Sequence, residues 1–135
     1  GARKTRGLPA GAARVRALVD ADRHLTEDLS SFRDFFTILP HALRDEELRR
    51  RVARLYDWYR SLYVEALDNE DPVRAADLCG YAHLMTAVTD GLAVQKLLDP
   101  ANVDLEALYR LWTRMLEVAL GVPGGTDVET PAAGS

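Results

Sequence analysis

The chain has 135 residues and a formal net charge of −4, with 17 Lys and Arg residues against 21 Asp and Glu residues. This length suits one domain that folds without a disulfide or a metal. The acidic balance argues against non-specific nucleic-acid binding, which requires clustered positive charge. Cys79 is the only cysteine, which excludes an internal disulfide and a multi-cysteine zinc site. Because we find neither a membrane span nor a signal peptide, we expect a soluble, cytoplasmic domain without a cofactor.

The amino-acid composition predicts an all-α fold. Leu and Ala, which favour helices, are the most frequent residues, whereas the strand-favouring Ile occurs only at Ile38. Apolar residues recur at helical spacing over residues 14–120, and we expect about five helices there. Residues 1–13 are predicted to be a linker, and the Gly- and Pro-rich residues 121–135 a flexible tail. Since Gly1 stands where an initiator Met is expected, we expect a processed chain or a piece of a longer protein.

The first two predicted helices follow the linker. One runs from about Ala13 to Leu29 and carries a single polar residue on its inner stripe. The second begins at a cap on Ser30 or Ser31. Pro40 should end or kink that helix, because proline lacks a backbone donor and clashes with the preceding turn.

The third predicted helix begins at the N-cap Asp45 and continues to about Leu67. Its first turn holds Glu46 and Glu47, which complement the positive end of the helix dipole. The arginine run that starts at Arg49 follows these acidic residues on the same helix. We therefore interpret the run as a surface of paired charges and not as a nucleic-acid site.

Two further helices complete the predicted domain. Asp71-Pro72 is a typical start signal, with Asp at the N-cap and Pro at the first helical position, and this helix should reach about Leu98. Asn102 or Asp104 should cap the last helix, which ends near Leu120. Apolar residues occupy nearly the whole circumference of the fourth helix and a wide stripe of the fifth. Such helices must be covered on both sides, and a second subunit is the simplest second cover.

A row of residues at steps of three and four marks the expected subunit contact. A glycine inside a helix costs about 1 kcal/mol relative to alanine, so Gly91 implies a close helix contact. In the alternative, Gly91 faces a neighbouring helix of its own chain in a monomeric bundle. The predicted dimer interface consists of Leu84, Ala87, Gly91, Val94, Leu98, Leu111, Met115 and Val118.

Two segments carry a family resemblance. The phrase TDGLAVQKLLDP at Thr89–Pro100, followed by Val103–Leu108, resembles the C-terminal regulatory domain of TetR-type transcriptional repressors, as does Phe35–Leu67. The resemblance covers residues 14–120. It implies that the last two helices form a four-helix bundle with a second subunit, and that the earlier helices surround a small-molecule pocket. No counterpart of the family's DNA-binding helix-turn-helix precedes Ala13, so this chain alone should not bind DNA specifically.

Aromatic and polar side chains on three helices are candidates for that pocket. Three tyrosines beginning at Tyr56 share one helix face, and three phenylalanines precede Pro40. His83 forms a polar stripe with Thr86 and Asp90. Ordinary core packing remains the alternative for both aromatic groups, and a carbonyl-bonded core histidine the alternative for the stripe. The residues predicted to bind a small hydrophobic or aromatic effector are Phe36, Tyr59, Tyr63, His83 and Met85.

The residues also bear on catalysis and metal binding. Cys79 and His83 lie four residues apart, but two ligands are too few for a metal site, and HExxH is absent. We find no phosphate loop and no nucleophile motif, and we therefore predict that the chain is not an enzyme. The leading prediction is the effector-binding and dimerisation domain of a TetR-type regulator. The alternative is a free-standing helical module that binds a partner protein.

Overall fold

The computed structural model describes the backbone of residues 12–68 and 72–121, and the side chains of residues 13–68 and 77–121. Within these residues the chain forms five helices and no strand, which confirms the predicted all-α fold. Apart from residues 12, 13 and 121, the predicted linker and tail lie outside the described residues. The helices are α1 (Ala12–Glu27), α2 (Leu29–Ala42), α3 (Glu46–Leu67), α4 (Pro72–Leu98) and α5 (Leu105–Leu120).

Two aspartates cap helices where the sequence places them. The Asp45 carboxylate accepts a 2.8 Å hydrogen bond from the Leu48 amide at the start of α3. Of the two candidates for α5, Asp104 is the N-cap, and its carboxylate accepts a 3.1 Å bond from the Ala107 amide. Each bond satisfies one of the amides that the first helical turn leaves without an intrahelical partner. The predicted N-cap Asp71 lies outside the described residues.

The boundary between α1 and α2 differs from the prediction. The break falls at Asp28, the N-cap residue of α2, and Leu29 already belongs to the second helix. Ser30 and Ser31 do not cap this helix, because they already lie inside it, and their hydroxyls donate to the Asp28 carboxylate at 3.3 and 2.8 Å. Short polar side chains compete for such local bonds, and here the aspartate is the shared acceptor.

Pro40 lies inside α2, which continues to Ala42. Of the two expected outcomes, the helix therefore does not end at Pro40, and a kink there stays a prediction. Proline removes one amide donor, but its fixed φ is compatible with helical backbone. The helix closes after it, where the Leu43 amide donates to the Leu39 carbonyl at 3.1 Å.

The hydrophobic core lies where α1, α3, α4 and α5 meet. α1 packs against the other three, whereas α2 packs against α3 and α4 at one side of the molecule. α4 and α5 make few contacts with each other. The core residues are Val15, Leu18, Val19, Tyr63, Ala66, Leu67, Leu78, Ala82, Met85, Leu105, Tyr109, Leu116 and Leu120.

Candidate functional site

An aromatic cleft of about 220 Å³ opens between α2, α3 and α4. Its walls are mostly apolar rings and leucines, and its polar groups come mainly from α3 and α4. Small-molecule sites in proteins commonly combine apolar walls with a few polar groups in this way. The aromatic cleft is lined by Leu25, Ser31, Phe32, Phe35, Leu55, Tyr56, Tyr59, Tyr63, Thr86, Thr89 and Asp90.

Ring contacts between α2 and α3 build the aromatic wall of this cleft. The ring centroids of Phe35 and Tyr56 lie 5.9 Å apart across the two helices. Phe36 does not line the cleft, but its ring packs against Phe32 and Phe35 at 5.8 Å from each. On the outer side of α3, Trp58 contacts the cleft residue Tyr59 edge-on, with centroids 5.0 Å apart. These tilted arrangements are the ones that aromatic quadrupoles favour.

One carboxyl group, Asp90, lines the aromatic cleft. The Tyr56 hydroxyl donates a hydrogen bond to its Oδ2 atom and so joins α3 to α4. Burial raises the pKa of Asp90, and the bond from Tyr56 opposes that rise. Burial and the neighbouring carboxylate also raise the pKa of the Tyr56 phenol. The phenol therefore keeps its proton and acts as a donor to Asp90.

A second carboxyl group, Asp22, lies in the core behind the cleft. Tyr63, whose ring lines the cleft, donates a 2.8 Å hydrogen bond to Asp22 Oδ1. Burial raises the pKa of Asp22 to about 7, although the bond from Tyr63 lowers it. The Thr26 hydroxyl donates to the Asp22 carbonyl at 2.8 Å and lies 2.5 Å from the Tyr109 hydroxyl. These bonds connect α1 with α3 and α5.

Two buried oxygen atoms beside this cluster lack a hydrogen bond of good geometry within the described residues. They are Oδ2 of Asp22 and Oγ1 of Thr89. The Thr89 hydroxyl lies near the phenols of Tyr63 and Tyr109 and lowers the pKa of both, although burial raises each pKa overall. Buried polar atoms in native proteins are nearly always paired. Thr89 lines the cleft and Asp22 does not, so the unused hydrogen-bonding capacity at the cleft is that of the Thr89 hydroxyl.

The structure brings together two of the five residues predicted to bind an effector. Tyr59 and Tyr63 line the aromatic cleft, and Phe36 supports its wall from behind. Met85 is completely buried in the core and does not line the cleft. His83 is exposed on α4, away from the cleft lining.

The five predicted binding residues include none of the polar residues of α4 that line the cleft, although Thr86 and Asp90 belong to the predicted polar stripe. Thr86, Thr89 and Asp90 share one face of the helix, because they lie three and four residues apart. This spacing in an otherwise apolar helix is the signal that identifies them, whereas His83 of the predicted stripe lies outside the cleft lining. Asp22 gave a similar signal as the one polar residue on the inner stripe of α1.

A different face of α4, together with α5, carries uncovered apolar side chains. Of the eight residues predicted for the dimer interface, seven are exposed and Gly91 is half-buried. Leu98 and Val118 are 80% and 82% exposed, which is unusual for large apolar residues. A Cβ atom at Gly91 would have nothing within 4 Å, so Gly91 does not face a neighbouring helix within the described part of the chain. We call these eight residues the apolar face; they are Leu84, Ala87, Gly91, Val94, Leu98, Leu111, Met115 and Val118.

The predicted charge pairing on α3 is present. Arg49 and Arg50 lie 4.0 and 3.9 Å from the Glu46 carboxylate, and Arg51 lies 2.8 Å from that of Glu47.

A separate groove between α1 and α5, of about 430 Å³, is lined mainly by charged residues of both signs. Its chemistry differs from that of the aromatic cleft.

Comparison with known protein families decides the assignment. The family of C-terminal domains of BetI-type transcriptional repressors, a TetR-type family, matches residues 11–121. The chain belongs to this family. The match spans all five helices of this TetR-type C-terminal domain, including both the aromatic cleft and the apolar face.

Other comparisons add no relative to this assignment. No curated protein and no solved structure matches the chain significantly.

Among the described helices of the TetR-type domain, none combines the length and apolarity needed to cross a membrane. The described residues also contain no group of three or more His, Cys, Asp or Glu side chains placed to hold a metal ion.

Proposed function

We propose that this chain is the effector-sensing and dimerisation domain of a TetR-type transcriptional regulator. The observation that carries the proposal is that one helix, α4, contributes to two apolar surfaces on different faces. Thr86, Thr89 and Asp90 of α4 line the aromatic cleft. Leu84 and Val94 belong to the apolar face and are 57% and 38% exposed. A ligand in the cleft therefore contacts the same helix that would contact a partner subunit.

The exposure of the apolar face supports a second copy of the chain as its cover. Fully burying a Leu, Met or Val side chain contributes roughly 1.5–3 kcal/mol. Leu111 and Met115 of α5 are 49% and 57% exposed, so α5 also has apolar side chains for this contact. A four-helix seam between two protomers would bury both helices together.

Replacing Gly91 by Leu tests dimerisation. Because a Cβ at Gly91 meets no atom within 4 Å, a side chain can begin there without a clash in the protomer, and leucine also removes the helix-propensity cost of glycine. We expect light scattering to give twice 15.0 kDa for the wild type and a shift toward monomer for Gly91→Leu. Ala53→Leu, at an exposed position of α3, is the control and should stay dimeric. A wild type that is monomeric at high concentration contradicts the proposal.

Narrowing the cleft tests effector binding. We expect the neutral dye N-phenylnaphthylamine to bind the wild type with increased fluorescence, and Thr86→Phe to weaken that binding because the new ring fills the cleft. Thr37→Phe is a matched control, since both hydroxyls donate to the carbonyl four residues earlier, at 2.9 Å each. Thr37 is exposed and lies outside the cleft lining. Equal dye binding by both variants would place the dye elsewhere and count against the cleft.

For such a domain, regulation follows from differential binding. An effector changes the arrangement of two subunits only if it binds one arrangement more tightly than the other. The bond from Tyr56 to Asp90 ties α3 to α4 at the cleft. An effector that contacts these residues is therefore positioned to move α4 relative to the partner subunit.

A further inference from the structure

A buried cluster of hydroxyl and carboxyl groups lies directly behind the wall of the aromatic cleft. Tyr63 and Thr89 line the cleft, and both are buried. Tyr63 donates a 2.8 Å hydrogen bond to Asp22, and Thr89 lies near the phenols of Tyr63 and Tyr109. Asp22 itself is 5% exposed and does not line the cleft. One layer of side chains therefore separates a buried carboxyl group from a molecule in the cleft.

The surroundings of Asp22 offer little to a negative charge. One carboxylate oxygen accepts from Tyr63, and the other, Oδ2, is buried without a hydrogen bond. No group that faces Asp22 among the described residues is a cation; those groups are Thr26 from α1, Tyr63 from α3, Thr89 from α4 and Tyr109 from α5. Burial in such surroundings favours the neutral carboxyl group. In agreement, burial raises the pKa of Asp22 to about 7, although the bond from Tyr63 lowers it.

We propose that effector binding in the aromatic cleft is coupled to the uptake of a proton by Asp22, so that the domain responds to pH as well as to its effector. A ligand in the cleft replaces water against Tyr63 and Thr89 and so lowers the polarity around Asp22. Lower polarity favours the neutral carboxyl group over the carboxylate. By linkage, the protonated protein binds the ligand more tightly than the deprotonated protein does. This inference rests on the proposed effector-binding function and adds a regulating proton to it.

The sign of the pH dependence follows from this coupling. Below the pKa of Asp22 the carboxyl group already carries its proton, and effector affinity is highest there. As pH rises through about 7, binding must first restore the proton, and the affinity falls. It levels off at higher pH, where the cost of taking up the proton equals the gain from holding it.

Asp90 is the other carboxyl group that a ligand in the cleft would cover. It lines the cleft, and burial raises its pKa as well. Asp22 is the more deeply buried of the two, and its pKa of about 7 leaves it partly protonated at neutral pH. We therefore assign the coupled proton to Asp22. Asp90→Asn is the matched variant that separates the two carboxyl groups, since its side-chain oxygen still accepts from Tyr56.

Fluorescence titration with N-phenylnaphthylamine at a series of pH values tests the coupling, because this dye is uncharged near neutral pH. The slope of the logarithm of its affinity against pH gives the number of protons taken up on binding. We expect the wild type to bind the dye about two- to threefold more tightly at pH 6 than at pH 8. Equal affinity at all pH values overturns the inference and leaves the cleft as an effector site. Absence of dye binding contradicts the inference and the proposed effector function together.

Three variants assign the proton to its group. Asp22→Asn keeps an acceptor for Tyr63 but cannot titrate, so its dye affinity should not depend on pH. Asp90→Asn should keep the pH dependence of the wild type. A dependence that survives in Asp22→Asn, or that disappears in Asp90→Asn, overturns the inference. Tyr63→Phe keeps the ring in the cleft wall but removes the hydrogen bond to Asp22.

The midpoint of the pH dependence in Tyr63→Phe is a second measurement that does not require Asp22→Asn to fold. Without the donor, the carboxylate is less stable relative to the neutral group, and the midpoint should move to higher pH than in the wild type. A merely structural role of Tyr63 would change the affinity at every pH and leave the midpoint in place. An unchanged midpoint therefore contradicts the assignment to Asp22.

Discussion

At the scale of single residues, Asp22 has the most unusual environment in the described chain. Its side chain is 5% exposed, and the polar groups around it are Tyr63 from α3, Thr26 from its own helix, Thr89 from α4 and Tyr109 from α5. Among the described residues, none of these groups is basic. Burial therefore disfavours the charged carboxylate, and no described cation beside it offsets the cost. Burial favours the neutral, protonated form of the carboxyl group, and the pKa of Asp22 therefore rises to about 7.

This environment predicts a specific pH dependence of stability. Between pH 3.8, the ordinary pKa, and about 7 the folded state holds a proton on Asp22 that the unfolded state releases. The free energy of unfolding therefore falls as pH rises through this window and levels off above it. Asp22→Asn removes the titration. Between pH 5 and pH 8, the wild type should lose about 2–3 kcal/mol relative to this variant.

Urea unfolding of both proteins at the two pH values measures this difference. Other titrating groups affect wild type and variant alike, so they cancel in the comparison. A stability difference between the two proteins that does not change with pH would show that the pKa of Asp22 is close to its ordinary value. Asn also accepts the bond from Tyr63, so the contact between α1 and α3 is kept.

At the scale of helices, the N-cap of α5 is a local determinant of stability. The Asp104 carboxylate accepts from the Ala107 amide at 3.1 Å, and Gly121 closes the other end with a left-handed φ of 67°. We expect Asp104→Ala to destabilise the protein by about 0.5–2 kcal/mol, because the amide loses its acceptor. Asp104→Asn keeps an acceptor oxygen and should stay within a few tenths of a kcal/mol of the wild type. Thermal unfolding of the two variants side by side tests the assignment, and equal losses would contradict it.

The helices were predictable because their signals are local. Asp45 and Asp104 act on amides within their own first turn, so the sequence predicts the cap at Asp45 and narrows the cap of α5 to Asn102 or Asp104. Pro40 shows the limit of this reasoning, since a proline near the end of a helix is tolerated. The exposure of the predicted interface residues on α4 and α5 was also predictable from their spacing, because residues three and four positions apart stay on one face of a helix.

The cleft was less predictable, because its lining depends on how helices are rotated against one another. Tyr59 and Tyr63 were identified from their shared face on α3. Met85 and His83 lie on α4, which does line the cleft, but on other faces of that helix. Met85 is in the core and His83 is exposed. Only the packing of α4 against α1 and α3 determines which of these faces meets the cleft.

At the scale of the whole molecule, charge and fold together predict that this chain does not bind DNA specifically. Its net charge is −4, and the arginines of the Arg49–Arg51 run are paired with acidic residues. All five described helices belong to the match with the C-terminal domain. Titration of labelled duplex at physiological salt should give nothing tighter than the non-specific range, roughly 10⁻⁴–10⁻⁶ M. Nanomolar binding that resists added salt would show an unrecognised DNA-binding surface.

The edge-on contact between Trp58 and Tyr59 has a spectroscopic consequence. The chain has two tryptophans; Trp58 is 55% exposed beside a cleft residue, whereas Trp112 packs partly buried against the core on α5. Trp58 therefore emits from surroundings exposed to water, and Trp112 from largely apolar surroundings. A Trp112→Phe protein would carry a single intrinsic fluorophore one ring away from the cleft. Occupancy of the cleft could then be followed in real time from the emission of the protein itself, without any label.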